Sequence, residues 1–141
     1  MTTATLNTLE HTLQATNVWI SDVTDELGWS NRDRAYLALR TVLHSLRDRL
    51  SVEHVAAFGA QLPLLVRGFY YEGWQPSGKP LRERKREQFL AHIDAVFPND
   101  PSVDAEQVAA AVFRVIEKHI SPGEVRKILG VLPRDLQSLW S

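Results

Sequence analysis

The densest chemistry in the chain lies in Arg67-Gly68-Phe69-Tyr70-Tyr71-Glu72-Gly73-Trp74. Large aromatics beside an arginine and a glutamate are the composition of a protein-binding surface, with apolar anchors and polar handles. Arg67, Tyr71, Glu72 and Trp74 are the candidate surface residues. The competing reading is that Tyr71 and Trp74 fold the following segment back over the body, their hydroxyl and indole N–H finding local partners. A second cluster is Arg40, His44 and Arg47, spaced i, i+4, i+7 on one side of a helix. Such a stripe can hold a phosphate or carboxylate. It can equally be a solvated flank whose arginine stems cover apolar neighbours, which is the reading favoured here. A third is Lys79 to Glu87, with net charge +3. Two glutamates interrupt it and no aromatic lies within it, so it reads as the solvated start of a helix rather than a nucleic-acid site.

Other chemistries find little support. No two of His11, His44, His54, His92 and His119 stand at the i, i+4 spacing of a helical metal pair, so no metal site is expected. Asp22, Asp25 and Glu26 crowd one helical turn and read as ordinary solvated charges. There is no Gly-x-Ser-x-Gly motif and no glycine-rich phosphate loop. Cysteine is absent, which removes thiolate nucleophiles, disulfides and Cys-ligated metals. No catalytic residue and no cofactor is expected. At 141 residues, 44% hydrophobic and 23% charged, the chain is an ordinary globular length and composition. Net charge −1 gives no global attraction to nucleic acid or membranes. The N-terminus has neither a basic region nor an apolar core of a secretory signal, and no run approaches a membrane span, so a cytoplasmic location is expected.

The elements that position these residues follow from periodicity. Leu6, Leu9, Leu13, Thr16, Ile20, Val23 and Leu27 alternate steps of three and four, a stripe along one long core-packing helix that ends at Gly28, with Trp19 beside the seam. Ser30 reads as the cap of a second helix buried through Ala35, Leu39, Val42, Leu43, Leu46 and Leu50. Ser51 opens a third helix and Leu62-Pro63 a fourth. Residues 75–80, rich in proline and glycine, form a linker. A fifth helix is expected from about Leu81 to Phe97, and Asp100-Pro101 reads as the start of a sixth. Ser121-Pro122-Gly123-Glu124 is a capping box opening a seventh, and Leu132-Pro133 opens an eighth. No stretch alternates with the period of a strand.

The second half repeats the grammar of the first 70 residues later, from about Asn17–Tyr71 onto Glu87–Ser141: Ser30 with Asp100, Ser51 with Ser121, and Leu62-Pro63 with Leu132-Pro133. The expected fold is all-α, eight helices in two tandem four-helix pseudo-repeats, 1–74 and 81–141, sharing one core. Leu46-Arg47-Asp48-Arg49-Leu50, Gln61 to Gly68, Tyr70 to Trp74 and Ile120 to Val125 resemble the bacterial domain of unknown function 2267 family across nearly the whole chain. That resemblance implies a small helical protein and no particular reaction. The reading is a non-catalytic module that binds another protein or itself. The alternatives are a small-ligand or anion receptor using a cleft between halves near Arg40, His44 and Arg67, and, less favoured, nucleic-acid binding through Arg82–Arg86.

Overall fold

A computed structural model describes residues 2–140. The outer ends of the two expected halves, Met1 and Ser141, lie outside the described residues. Among those described there are eight α-helices and no strand: α1 Thr3–Leu27, α2 Arg32–Arg47, α3 Val52–Gly59, α4 Leu64–Tyr71, α5 Arg86–Val96, α6 Ala105–His119, α7 Pro122–Val131 and α8 Arg134–Gln137. None is long and apolar enough to cross a membrane.

Helix ends leave backbone N–H groups without intrahelical partners, and short polar side chains take them up. Ser51 accepts from the His54 amide and Ser121 from the Glu124 amide. Two other boundaries differ from expectation. Asn31, not Ser30, caps α2, accepting from Asp33 and Arg34. Asp104, not Asp100, caps α6. Asp100 instead accepts from the Ser102 amide through one carboxylate oxygen and receives Arg34 on the other at 2.9 Å, within a turn that precedes α6. The capping box at Ser121 is half-made: the Ser121 amide donates to Gln61 from the first half of the chain rather than to Glu124.

The fifth helix starts at Arg86, five residues later than expected. Residues 81–85 run irregularly alongside α2, where the Leu81 amide donates to the Asp48 carbonyl at 2.7 Å. Cations at a helix start oppose its dipole. Here the Asp135 carboxylate of the α8 helix accepts from the Arg86 amide at 2.7 Å and supplies the missing negative charge.

α2 and α6 form the centre, and one apolar cluster draws side chains from both halves of the chain. Burial recurs in register: Ala35 and Ala105, Leu39 and Ala109, Val42 and Val112, Leu43 and Phe113, Leu46 and Ile116, Leu50 and Ile120 are all buried. The α1 stripe is only partly a core face. Thr16, Trp19 and Val23 are buried, whereas Leu6, Leu9 and Leu13 remain 44%, 46% and 54% exposed. A 25-residue helix extends roughly 37 Å at 1.5 Å per residue, and only its C-terminal part finds partners in α2 and α6. Trp19, expected beside the seam, is inside it and stacks on His119 with centroids 4.9 Å apart. The carboxylates expected to be free in solvent join α1 to α6 instead: His119 donates to Asp22 at 2.6 Å and Arg114 to Glu26 at 2.7 Å.

Candidate functional site

The two candidate clusters meet each other. α4 stops at Tyr71, and Gly73 turns the chain away with φ 74°, a left-handed conformation that a side chain would strain. The last carbonyls of a helix carry a partial negative charge and need donors. His44, Arg47 and Arg40 provide them. His44 Nε2–H donates to the Phe69 carbonyl at 2.6 Å, and Arg47 Nη1 donates to the carbonyls of Tyr70 at 2.7 Å and Glu72 at 3.0 Å. Arg40 Nη2 reaches the Glu72 carboxylate at 2.6 Å.

His44 and Arg47 are therefore bonded to the end of α4, and Arg40 is paired with Glu72. Arg47 is only 4% exposed, since its guanidinium sits on the end of α4 and is also held by Asp48 at 2.9 Å. Burial pushes the His44 imidazole below its ordinary value of 6.5, against the opposing pull of the Phe69 carbonyl, and Arg47 and Arg40 push it the same way as burial. The ring is neutral at pH 7 with its proton on Nε2.

Arg67 closes the preceding helix. Its Nε donates to the Gly59 carbonyl at 2.9 Å, and its Nη2 to Ala60 at 3.2 Å and Leu62 at 2.9 Å, which are the terminal carbonyls of α3 and its turn. The aromatic side chains form a ladder inward from the surface. Trp74 lies 5.8 Å from Tyr71, Tyr71 lies 4.9 Å from Tyr70, and Tyr70 lies 5.6 Å from Phe58, centroid to centroid. Tyr70 is fully buried and donates its hydroxyl to the Val55 carbonyl at 2.9 Å. Burial pushes that phenol well above its ordinary range, so it stays a donor. Tyr71 lies across Gly59 so closely that a Cβ there would stand 2.6 Å from its hydroxyl oxygen. Tyr71 and Trp74 are thus half-buried by their own chain, and Glu72 remains exposed. The Trp74 indole N–H has no acceptor among the described residues.

A cleft of about 230 Å3 does open between α2 and α5, lined by Arg40, His44 and Arg49 from α2 and its end and by His92 from α5. Arg67, expected beside them, is not on it. A wider apolar groove of about 460 Å3 runs between α1 and α4, lined by Leu13, Ile20, Tyr36, Leu65 and Phe69, with Glu72 at its rim. The Leu65 amide there donates to Thr12 of α1 at 3.0 Å. Leu64 and Leu65, neither of which stood out in the sequence, are exposed, and Leu65 shares this groove with the exposed Leu13 of α1. One sequence signal for this surface is that Leu6, Leu9 and Leu13 stand against Pro76, Lys79 and Glu83 at an offset of 70, so this apolar stretch is peculiar to α1.

Among the described residues, no group of three or more His, Cys, Asp or Glu side chains is placed to hold a metal ion. No curated protein matches the chain. Helices α2 to α8, the Arg67 and Arg47 caps and the aromatic ladder all fall within residues 16–139, the span matched by the model of one family, and the chain belongs to that family, the uncharacterized conserved protein DUF2267.

Proposed function

We propose that the protein is a non-catalytic helical interaction module that pairs with a second copy of itself through the exposed face of α1 and the adjoining leucines of α4. The observation that carries this reading is the exposure of Leu6, Leu9 and Leu13 at coiled-coil spacing, with exposed Leu65 of α4 on the same groove as Leu13. Leaving this many leucines in water costs free energy that a second apolar face recovers. The charge pattern favours a copy of the same chain as that partner. Between Thr3 and Ile20 only Glu10 carries a formal charge, so two copies of this helix do not repel each other strongly. The groove between α1 and α4 extends the surface toward Glu72, which links it to the 67–74 segment. In this reading Arg67, Tyr71 and Trp74 brace α3 and α4 from beneath, and Arg40, His44 and Arg47 hold the end of α4 in place. The module acts in the cytoplasm, a compartment compatible with a cysteine-free chain.

We also infer that 1–74 and 81–141 are two copies of one four-helix unit joined by 75–80, supported by the burial register at an offset of 70.

Sedimentation equilibrium tests the pairing. The wild-type chain is expected to show a concentration-dependent dimer, and Leu9→Lys with Leu13→Glu is expected to be monomeric with an unchanged helical circular-dichroism spectrum. A wild-type chain that stays monomeric up to about millimolar concentration, the weak end of specific association, sinks the reading.

A further inference from the structure

A cleft of about 700 Å3 opens where residues 78–84 pass the turn between α7 and α8. Lys79, Arg82 and Arg84 line it, and none of the three makes an ion pair among the described residues. Arg49 reaches it from the end of α2, with a side chain only 1% exposed. Its guanidinium lies over the Phe89 ring at 5.0 Å, and its Nε–H has no acceptor among the described residues. Glu83 is the one carboxylate in the lining. It is already bonded to Arg49 at 2.8 Å and to His92 at 3.0 Å. The remaining wall is apolar, made by Leu81, Val131 and Pro133.

We propose that this cleft is a binding site for a small phosphorylated ligand, its phosphate oxygens held by Lys79, Arg82 and Arg84 and its apolar part lying against Val131 and Pro133. Three uncompensated cations around one concavity repel each other, and an anion between them removes that repulsion. The apolar wall lowers the local dielectric and strengthens the attraction. Arginine forks match phosphate oxygens in pairs. Arg49, whose charge Glu83 balances, cannot swing away from the wall, because Ser45 holds it at 2.8 Å through the backbone carbonyl and at 2.9 Å through the hydroxyl. Shape favours a compact ligand over a nucleic-acid strand. The volume lies within the roughly 300–1,000 Å3 of small-molecule sites, and no aromatic side chain in the lining offers a base-stacking platform.

Isothermal titration calorimetry of the full chain with inorganic tripolyphosphate tests the site. Saturable one-to-one binding that weakens as salt is raised is expected. Replacing Lys79, Arg82 and Arg84 together by alanine is expected to weaken it about tenfold or more, the sum of three exposed charge contacts. Val131→Trp changes no charge and fills the cleft from an exposed position, so it is expected to weaken binding as well. No saturable binding by the wild-type chain, or wild-type affinity in either variant, overturns the proposal. So does tighter binding of single-stranded oligothymidine that Val131→Trp leaves untouched, since that is the behaviour of an open basic track.

Discussion

Arg67 and Gln137 stand 70 residues apart and both fold back onto the carbonyls that end the preceding helix. Arg67 reaches Gly59, Ala60 and Leu62, and Gln137 reaches Leu129 at 2.7 Å and Leu132 at 2.9 Å. Positions 47 and 70 are bonded in the first half, 117 and 140 in the second, with the polarity exchanged. Arg47 donates to the Tyr70 carbonyl, whereas Glu117 accepts from the Trp140 indole at 2.6 Å. The same two pairs of positions are in contact through different groups: a backbone carbonyl at the end of α4 accepts in one, and two side chains bond to each other in the other. Where the halves diverge, they do so outside this frame. α1 has 25 residues and α5 has 11, and the surplus carries the exposed leucines. The first half continues past α4 into Glu72, Gly73 and Trp74, whereas α8 ends at Gln137.

The comparison can be broken most forcefully at its shared core. Leu62 and Leu132 occupy equivalent buried positions just before Pro63 and Pro133. Aspartate at either is expected to cost about 3–5 kcal/mol or more, since it buries an unpaired charge, and to unfold both halves in one thermal transition by calorimetry. Two separated transitions, with one half intact, would show that the halves do not share a core.

A finer contrast lies in the caps themselves. Arg67→Ala is expected to cost about 1.5–3 kcal/mol in urea unfolding and Gln137→Ala about 0.5–1.5 kcal/mol, because charge-assisted bonds to carbonyls are stronger than neutral ones. Equal losses would mean that the arginine contributes no more than its geometry.

The smallest expected effect is a pH dependence confined to the first half. The His44 imidazole is held below its unfolded value near 6.5, so the unfolded chain takes up that proton first. The stability this neutral ring contributes is complete above that value and is lost as pH falls through the folded one. His44→Gln keeps a donor for the Phe69 carbonyl and removes the titration. Its melting temperature is expected to fall less than wild type between about pH 7.5 and 5, the range in which histidine changes charge. The lowered carboxyls of Asp22 and Asp100 act at lower pH, because their folded values lie below 3.8. Identical pH profiles for the two proteins would remove His44 from the account.

Much of the helical frame was legible from residue type and spacing. Gly28, Ser51 and Ser121 mark helix ends as expected, because glycine and serine serve those positions for local reasons. The misread boundaries share a cause. Asp100 could have capped a helix, yet Arg34, 66 positions away in sequence, pairs with it. Leu81 to Lys85 lies inside the expected fifth helix, yet it runs irregularly, tied to the end of α2 through the Leu81 amide on Asp48 and Glu83 on Arg49. Both segments are bonded to distant parts of the chain, and local propensity contains no term for such partners. The candidate residues show the same division. Arg40, His44 and Arg47 were visible as one stripe, but their ligand is the end of a helix some 25 residues onward.

Periodicity alone determined that this chain is helical and which side of α2 and α6 is apolar, because those depend on neighbours three and four residues away. What covers each apolar side was decided only in three dimensions. Leu13 and Val23 belong to one stripe, yet Val23 lies in the core and Leu13 in solvent, since the surfaces of α2 and α6 end before the helix does. The fate of the cations was decided there too. An arginine seeks the nearest unsatisfied oxygen, and where that oxygen lies is a property of the assembled fold.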